Sequence, residues 1–293
     1  MDAQNPSSTP TFASRTPVHI GAVSLAVRDL ARMTAYYRDL LGLTVQEQTA
    51  TGARLGVGDV PIVHLVSRPG LKPDDPREAG LYHTAFLMPT RADLARWLLG
   101  VAQKRVPLTG ASDHSVSEAI YLDDPEGNGI EVYSDRPKEE WIHTDGMLKI
   151  STDPLDIDDL VQAGVGASPY TDAPGGLRIG HIHLRVGDTA AAADFYHGMI
   201  GLDVIIRLRV GAVFMSSGGY HHHIGSNVWH SRGAGRRAED RAGLDWFSFG
   251  LADDATEQAL RQRLAAANVP ITEGDGGFEV CDPWGTRVRF TRA

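Results

Sequence analysis

Apolar and polar residues alternate along this chain and then recur at helical spacing, in four passages that share one order. The first opens with the alternating run VHIGAVSLAV at Val18, followed by Asp29 and a helix carrying Leu30, Met33, Tyr37 and Leu41 that stops at Gly42. The second opens LYHTAFLM at Leu81, with Thr90 as N-cap and Leu94, Trp97, Leu98 and Val101 as the apolar helix face. The third opens IGHIHLRV at Ile179, with Asp188 as cap and Phe195, Met199 and Ile200 turned inward. The fourth opens LDWFSFGL at Leu244, places Thr256, Leu260 and Leu264 on its helix, and leaves it at Val269-Pro270. A period of two predicts strands and a period near 3.6 predicts helices, so each passage reads as strand, helix, then more strands. Each unit should close through a turn of the kind seen at Asp124-Pro125-Glu126-Gly127 and Asp282-Pro283-Trp284-Gly285, where Pro and Gly suit the bend.

Four such units, rather than one, fit 293 residues. Residues 1–16 are polar and rich in Pro and Ser, and are expected to form a loose tail. Units one and two then occupy 17–136 and units three and four 178–293. The intervening 137–177 reads as a linker with one short helix. A hydrophobic share of 42% and a charged share of 22% are ordinary for a globular enzyme. The net charge of −9, without a Lys/Arg block, argues against nucleic acid as partner. Cys281 stands alone, which excludes an intrachain disulfide and a cysteine-based zinc site. No apolar run approaches the roughly 20 residues of a membrane span, and the start lacks the pattern of a signal peptide. A cytoplasmic location and a homo-oligomer are expected.

The repeated plan resembles the vicinal-oxygen-chelate superfamily, which includes glyoxalases, fosfomycin-resistance enzymes and extradiol dioxygenases. The resemblance covers nearly the whole chain. It implies an α+β fold of four βαβββ modules, forming two paired-module cups, with metal ligands on the first and last strands of each module. The first-strand position holds Ala22, His83, His181 and Trp246 in units one to four. The last-strand position holds Glu131 in unit two and Arg289 in unit four; His64 is the nearest match in unit one, and the tract Tyr220–Gly225 in unit three.

Which units pair decides the donor set. Joining neighbours one and two would assemble Ala22, His64, His83 and Glu131, and joining three and four would bring Arg289, a fixed cation, to the metal. Joining units two and three instead gathers His83, His181 and Glu131, the two-histidine, one-carboxylate set of Fe(II) oxygenases. Units one and four would then form a structural pair without metal, and His64 is read as structural. Mn(II) suits the same ligands as Fe(II). His183, alternating with His181, is expected on the other side of the sheet.

One run resembles the extradiol dioxygenase signature through His114, Ile120, Tyr121, Asp124, Pro125, Gly127 and Glu131. Ser112 departs from it, standing where that family has Gly, Asn, Thr or a β-branched aliphatic residue. The resemblance implies that His114 and Tyr121 lie beside substrate oxygens. The tract Tyr220-His221-His222-His223-Ile224-Gly225 resembles the strand carrying the acid–base histidine, which places that role on His222, with His223 as second choice. Strand alternation would turn His221 and His223 away from the side His222 faces. The implied reaction is cleavage of a small aromatic diol by O2 to a muconic semialdehyde type of product. A hydroquinone-cleaving dioxygenase is the nearest rival. A glyoxalase or fosfomycin-type enzyme would want a carboxylate or amide in place of His181, and a binding protein of this fold would need no metal.

Overall fold

The computed structural model describes residues 10–144, 146–274 and 276–292. Each periodic passage forms a strand, a helix and three further strands. Unit one is β1 (Val18–Val27), α1 (Leu30–Leu41), β2 (Thr44–Gln48), β3 (Gly52–Val57) and β4 (Val60–Ser67). Unit two is β5 (Gly80–Leu87), α2 (Arg91–Gln103), β6 (Gly110–Asp113), β7 (Ser117–Asp123) and β8 (Gly129–Asp135). The connecting stretch carries β9 (His143–Thr144), β10 (Met147–Leu148) and α3 (Ile157–Gln162). Unit three is β11 (Arg178–Arg185), α4 (Thr189–Ala193) running into a π-helical turn at Asp194–Met199, β12 (Asp203–Leu208), β13 (Ala212–Ser216) and β14 (Ile224–Asn227). Unit four is β15 (Gly243–Leu251), α5 (Asp254–Ala266), β16 (Thr272–Gly274), β17 (Gly277–Cys281) and β18 (Arg287–Arg292).

The helix starts follow from side chains that take up free backbone N–H groups. Asp29 accepts from Arg32, Thr90 from Asp93, and Asp188 from Ala190 and Ala191. In α5 the cap is Asp253, which accepts from Thr256, so the helix begins at Asp254, two residues before the first position its pattern marks. Gly42 ends α1 at φ +67, and a Cβ there would lie 2.6 Å from the Ala173 nitrogen.

Two eight-stranded sheets result. In one, β5 and β11 run antiparallel at the centre and join units two and three. In the other, β1 and β15 join units one and four in the same manner. Within each unit the first strand lies parallel to the last, so a side chain on β5 sits beside one on β8. Each sheet therefore draws one unit from either half of the chain.

The helix side makes the complementary connections. Tyr37 of α1 donates to Asp124 Oδ2 at 2.9 Å, tying unit one to the β7–β8 turn of unit two. Tyr196 donates to Asp282 Oδ2 at 3.2 Å, tying unit three to the β17–β18 turn of unit four. A single apolar core runs through all four units, from Val23 and Tyr37 to Phe249 and Phe290.

The described part of the expected N-terminal tail is not loose. Ala13–Arg15 form a 3-10 turn, Thr16 is buried, and Phe12 packs edge-on against Tyr220. Apolar Phe12 and Ala13 supply burial that a purely polar segment would lack; residues 1–9 of that tail lie outside the described residues.

Candidate metal centre and its cavity

β5 contributes His83, the parallel neighbour β8 contributes Glu131, and β11 contributes His181. His83 Nε2 lies 3.0 Å from Glu131 Oε2, His181 Nε2 lies 3.2 Å from the same oxygen, and the two nitrogens are 3.3 Å apart. All three side chains are buried, at 7%, 2% and 2% exposure. Burial by itself would raise the Glu131 carboxyl, but the charge and hydrogen bonds of His181 and His83 hold it well below the ordinary carboxylate range. Burial lowers His181 to about 4, against the smaller raising effect of Glu131; the neutral imidazole is the form whose nitrogen binds a cation.

The donor set and its spacing fit a divalent cation. Ligand atoms about 2.1 Å from an octahedral ion and at right angles to one another lie about 3.0 Å apart. The triangle has edges close to that value, and its corners are one carboxylate oxygen and two imidazole nitrogens.

A cavity of about 590 Å³ opens onto the triangle. One wall carries Tyr121 and His114. His114 Nδ1–H donates to the Ser151 carbonyl at 2.6 Å, so Nε2 accepts from the Tyr121 hydroxyl at 2.7 Å. Burial, then the Glu131 charge, pushes the Tyr121 phenol well above its usual range, so it stays protonated. Ser151 belongs to the segment between units two and three, which thus crosses the cavity and fixes the His114 ring. Ser112, at the position where the signature departs, also lines the cavity.

The opposite wall carries His222, whose ring lies 4.0 Å from that of His181. Burial, then His181 and the other histidines nearby, lowers its pKa well below the ordinary value. The histidine tract is not a strand, as expected, but a turn leading into β14. His223 does face away, with Ser216 Oγ at 3.0 Å and Thr16 Oγ1 at 3.1 Å. His221 is not turned away: its Nδ1 lies 2.8 Å from His222 Nδ1. Strand alternation does not govern a turn, and the ring is drawn in by Asp135 at 2.8 Å.

A second correction concerns His183. It lines the cavity, with its ring 4.9 Å from that of His83 and 5.0 Å from that of Tyr82. Residues two apart on a strand share a face, so the spacing to His181 itself indicates this position. Asn227 Nδ2 donates to His183 Nε2 at 3.1 Å, and the absent Cβ of Gly225 makes room for the ring. Ile206, Leu208, Phe214 and Trp229 complete an apolar wall that no periodicity in the sequence singled out.

The equivalent positions in the other sheet differ. His64 packs against Trp246 with ring centroids 4.9 Å apart and the planes tilted by 56°, and Arg289 lies 4.1 Å over the Trp246 ring. Burial, with Arg54 and Arg289 nearby, lowers His64 to about 4. Among the described residues, no helix is long and apolar enough to cross a membrane.

Comparison with known proteins follows the same outline. Residues 19–132 and 178–290 match the Glyoxalase/Bleomycin resistance protein/Dioxygenase superfamily. The chain is 36% identical over 269 residues to a catechol-2,3-dioxygenase of Bacillus subtilis (strain 168), covering 90% of this chain and 94% of that protein. It is 30% identical over 172 residues to biphenyl-2,3-diol 1,2-dioxygenase 3 of Rhodococcus globerulus, covering 55% of this chain and 90% of that protein. The crystal structure of glyoxalase I from Zea mays superposes with a TM-score of 0.57 at 14% identity, over 96% of this chain and 94% of that one, a likeness of fold.

Proposed function

Because the chain belongs to the Glyoxalase/Bleomycin resistance protein/Dioxygenase superfamily, we propose that it is an extradiol dioxygenase that holds Fe(II) and opens the ring of a substituted catechol with O2. The observation that carries this reading is the buried His83, Glu131 and His181 triangle opening onto a cavity flanked by Tyr121 and His222. When bound by those three side chains, iron supplies acidity to a coordinated hydroxyl and open positions for diol and O2.

The remaining groups are those such a reaction needs. Neutral His222 on one wall can take a proton from the diol and return it as the ring opens. Tyr121 on the other wall stays protonated, and its hydroxyl can swing from His114 to donate to charge developing on the substrate. A cavity of about 590 Å³ falls in the range of drug-sized ligands, so a single catechol ring leaves it partly empty. The apolar wall of Ile206, Leu208, Phe214 and Trp229 suits a hydrophobic substituent on that ring.

The test is to purify the protein anaerobically, load it separately with Fe(II) and Mn(II), and expose it to O2 with catechol and with alkyl- and aryl-substituted catechols. We expect O2 uptake and a yellow ring-opened product, greatest with Fe(II) and a substituted ring. No uptake with any diol and either metal would overturn the reading.

A further inference from the structure

Behind His222 lies a pair of residues for which the proposed reaction gives no reason. His221 is 1% exposed, with its ring 4.0 Å from that of Tyr220 and 5.5 Å from that of Trp141. A buried imidazole is stable only when its nitrogens find partners. Nε2 of His221 lies 2.8 Å from Asp135 Oδ1, and Nδ1 lies 2.8 Å from His222 Nδ1. Asp135 ends β8 four residues beyond Glu131, so the strand period directs both to one face of the sheet. Tyr220 also donates to Asp135 Oδ1, at 3.2 Å, and so helps hold the carboxylate in place.

One arrangement of protons satisfies every contact of this row and leaves a lone pair for the cavity. A carboxylate only accepts, so His221 must carry its hydrogen on Nε2 and donate it to Asp135. In that tautomer the Nδ1 of His221 is a lone pair and accepts. His222 must therefore carry its hydrogen on Nδ1 and donate it to His221. That leaves His222 Nε2 as the unprotonated nitrogen, free for a substrate in the cavity that His222 lines.

We propose that Asp135 and His221 are positioning residues that fix the tautomer of His222, so that Nε2 is the nitrogen able to take the proton of a bound diol. The inference rests on the reading of His222 as the acid–base group. Without the pair, His222 could carry its hydrogen on Nε2, a form that cannot accept a proton there. Neither residue touches substrate; both act through the bond to His222 Nδ1.

Three variants separate this from a packing role. His221→Phe keeps a ring against Tyr220 and Trp141 but removes both nitrogens. His221→Gln loses the ring, yet its amide oxygen can accept from His222 and its amide nitrogen can donate to Asp135. Asp135→Ala removes the anchor. With Fe(II) loaded, iron content and anaerobic diol affinity should remain those of the wild type in all three. The turnover number should fall about 10–100-fold in His221→Phe and Asp135→Ala, the range typical of lost outer partners, and His221→Gln should recover most of it. Nitrogen-15 spectra of histidine-labelled, metal-free protein should show His222 protonated at Nδ1 in the wild type and not in His221→Phe. Wild-type turnover in His221→Phe, or a greater loss in Gln than in Phe, would overturn the proposal. If the wild type opens no diol, the functional reading fails, and the spectra alone then decide whether the pair sets the tautomer.

Discussion

Glu131 is the carboxylate corner of a triangle whose other corners are imidazole rings, and it is 2% exposed. Glu131→Ala or His83→Ala should therefore release iron, with a loss of affinity beyond the about 10–100-fold that outer partners carry, measured by titration of metal-free protein. Iron retained at wild-type affinity in both variants would exclude this centre. These positions were legible because a repeat compares each residue with its counterparts: one slot holds Ala22, His83, His181 and Trp246, and two imidazoles there are conspicuous. His183 and His221 were misread for different reasons. His183 was placed against the strand period, which in fact sets it beside His181. His221 was assigned by a strand rule in a segment whose backbone is a turn.

Among the elements, β11 shows how one residue shapes the centre. Its register shifts between Ile179 and His181, and a Cβ on the intervening Gly180 would meet the Tyr133 hydroxyl oxygen at 1.8 Å. β1 repeats the device: its register shifts between Ile20 and Val23, and a Cβ on Gly21 would meet Ser248 Oγ at 2.7 Å. Glycine in a strand marks such a close approach. In β11 the bulge lets the buried Tyr133 nest beside His181, at 5.1 Å between ring centroids. Gly180→Ala should lower stability by about 1–3 kcal/mol and weaken iron binding together, because the displaced Tyr133 lies against the ligand. An unchanged thermal midpoint and metal affinity would show that the strand absorbs the methyl group. The alternation in IGHIHLRV made this strand legible, whereas the bulge depends on a partner from another unit and leaves no period.

Across the molecule, sheets join units two with three and one with four, while tyrosine–aspartate bonds join one with two and three with four. The second kind of joint carries a pH dependence. Asp282 is 4% exposed, and burial raises its carboxyl from 3.8 to about 6 against the hydrogen bonds of Thr286, Trp284 and Tyr196. A raised carboxyl favours folding in its protonated form, so that contribution is full below the unfolded value and is lost as pH rises through about 6. Denaturant unfolding of wild type and Asp282→Asn should thus diverge as pH falls from 7 to 4, the wild type gaining about 2 kcal/mol relative to the variant. Parallel stability curves across that range would show that Asp282 ionises normally. The sequence by itself determined the four units, their strand and helix order, most helix caps and the chemical types at the ligand slots, since all of these rest on short-range period and hydrogen bonding. The pairing of units two and three could be argued from charge alone, because Arg289 does not suit a cation. Only the tertiary structure decided which side chains converge around the cavity: the His222 face of the turn, the approach of His183, the Ser151 crossing and the apolar wall. Those are distances between segments far apart in the chain, and they follow from how two curled sheets and one shared core close on each other, which no local pattern encodes.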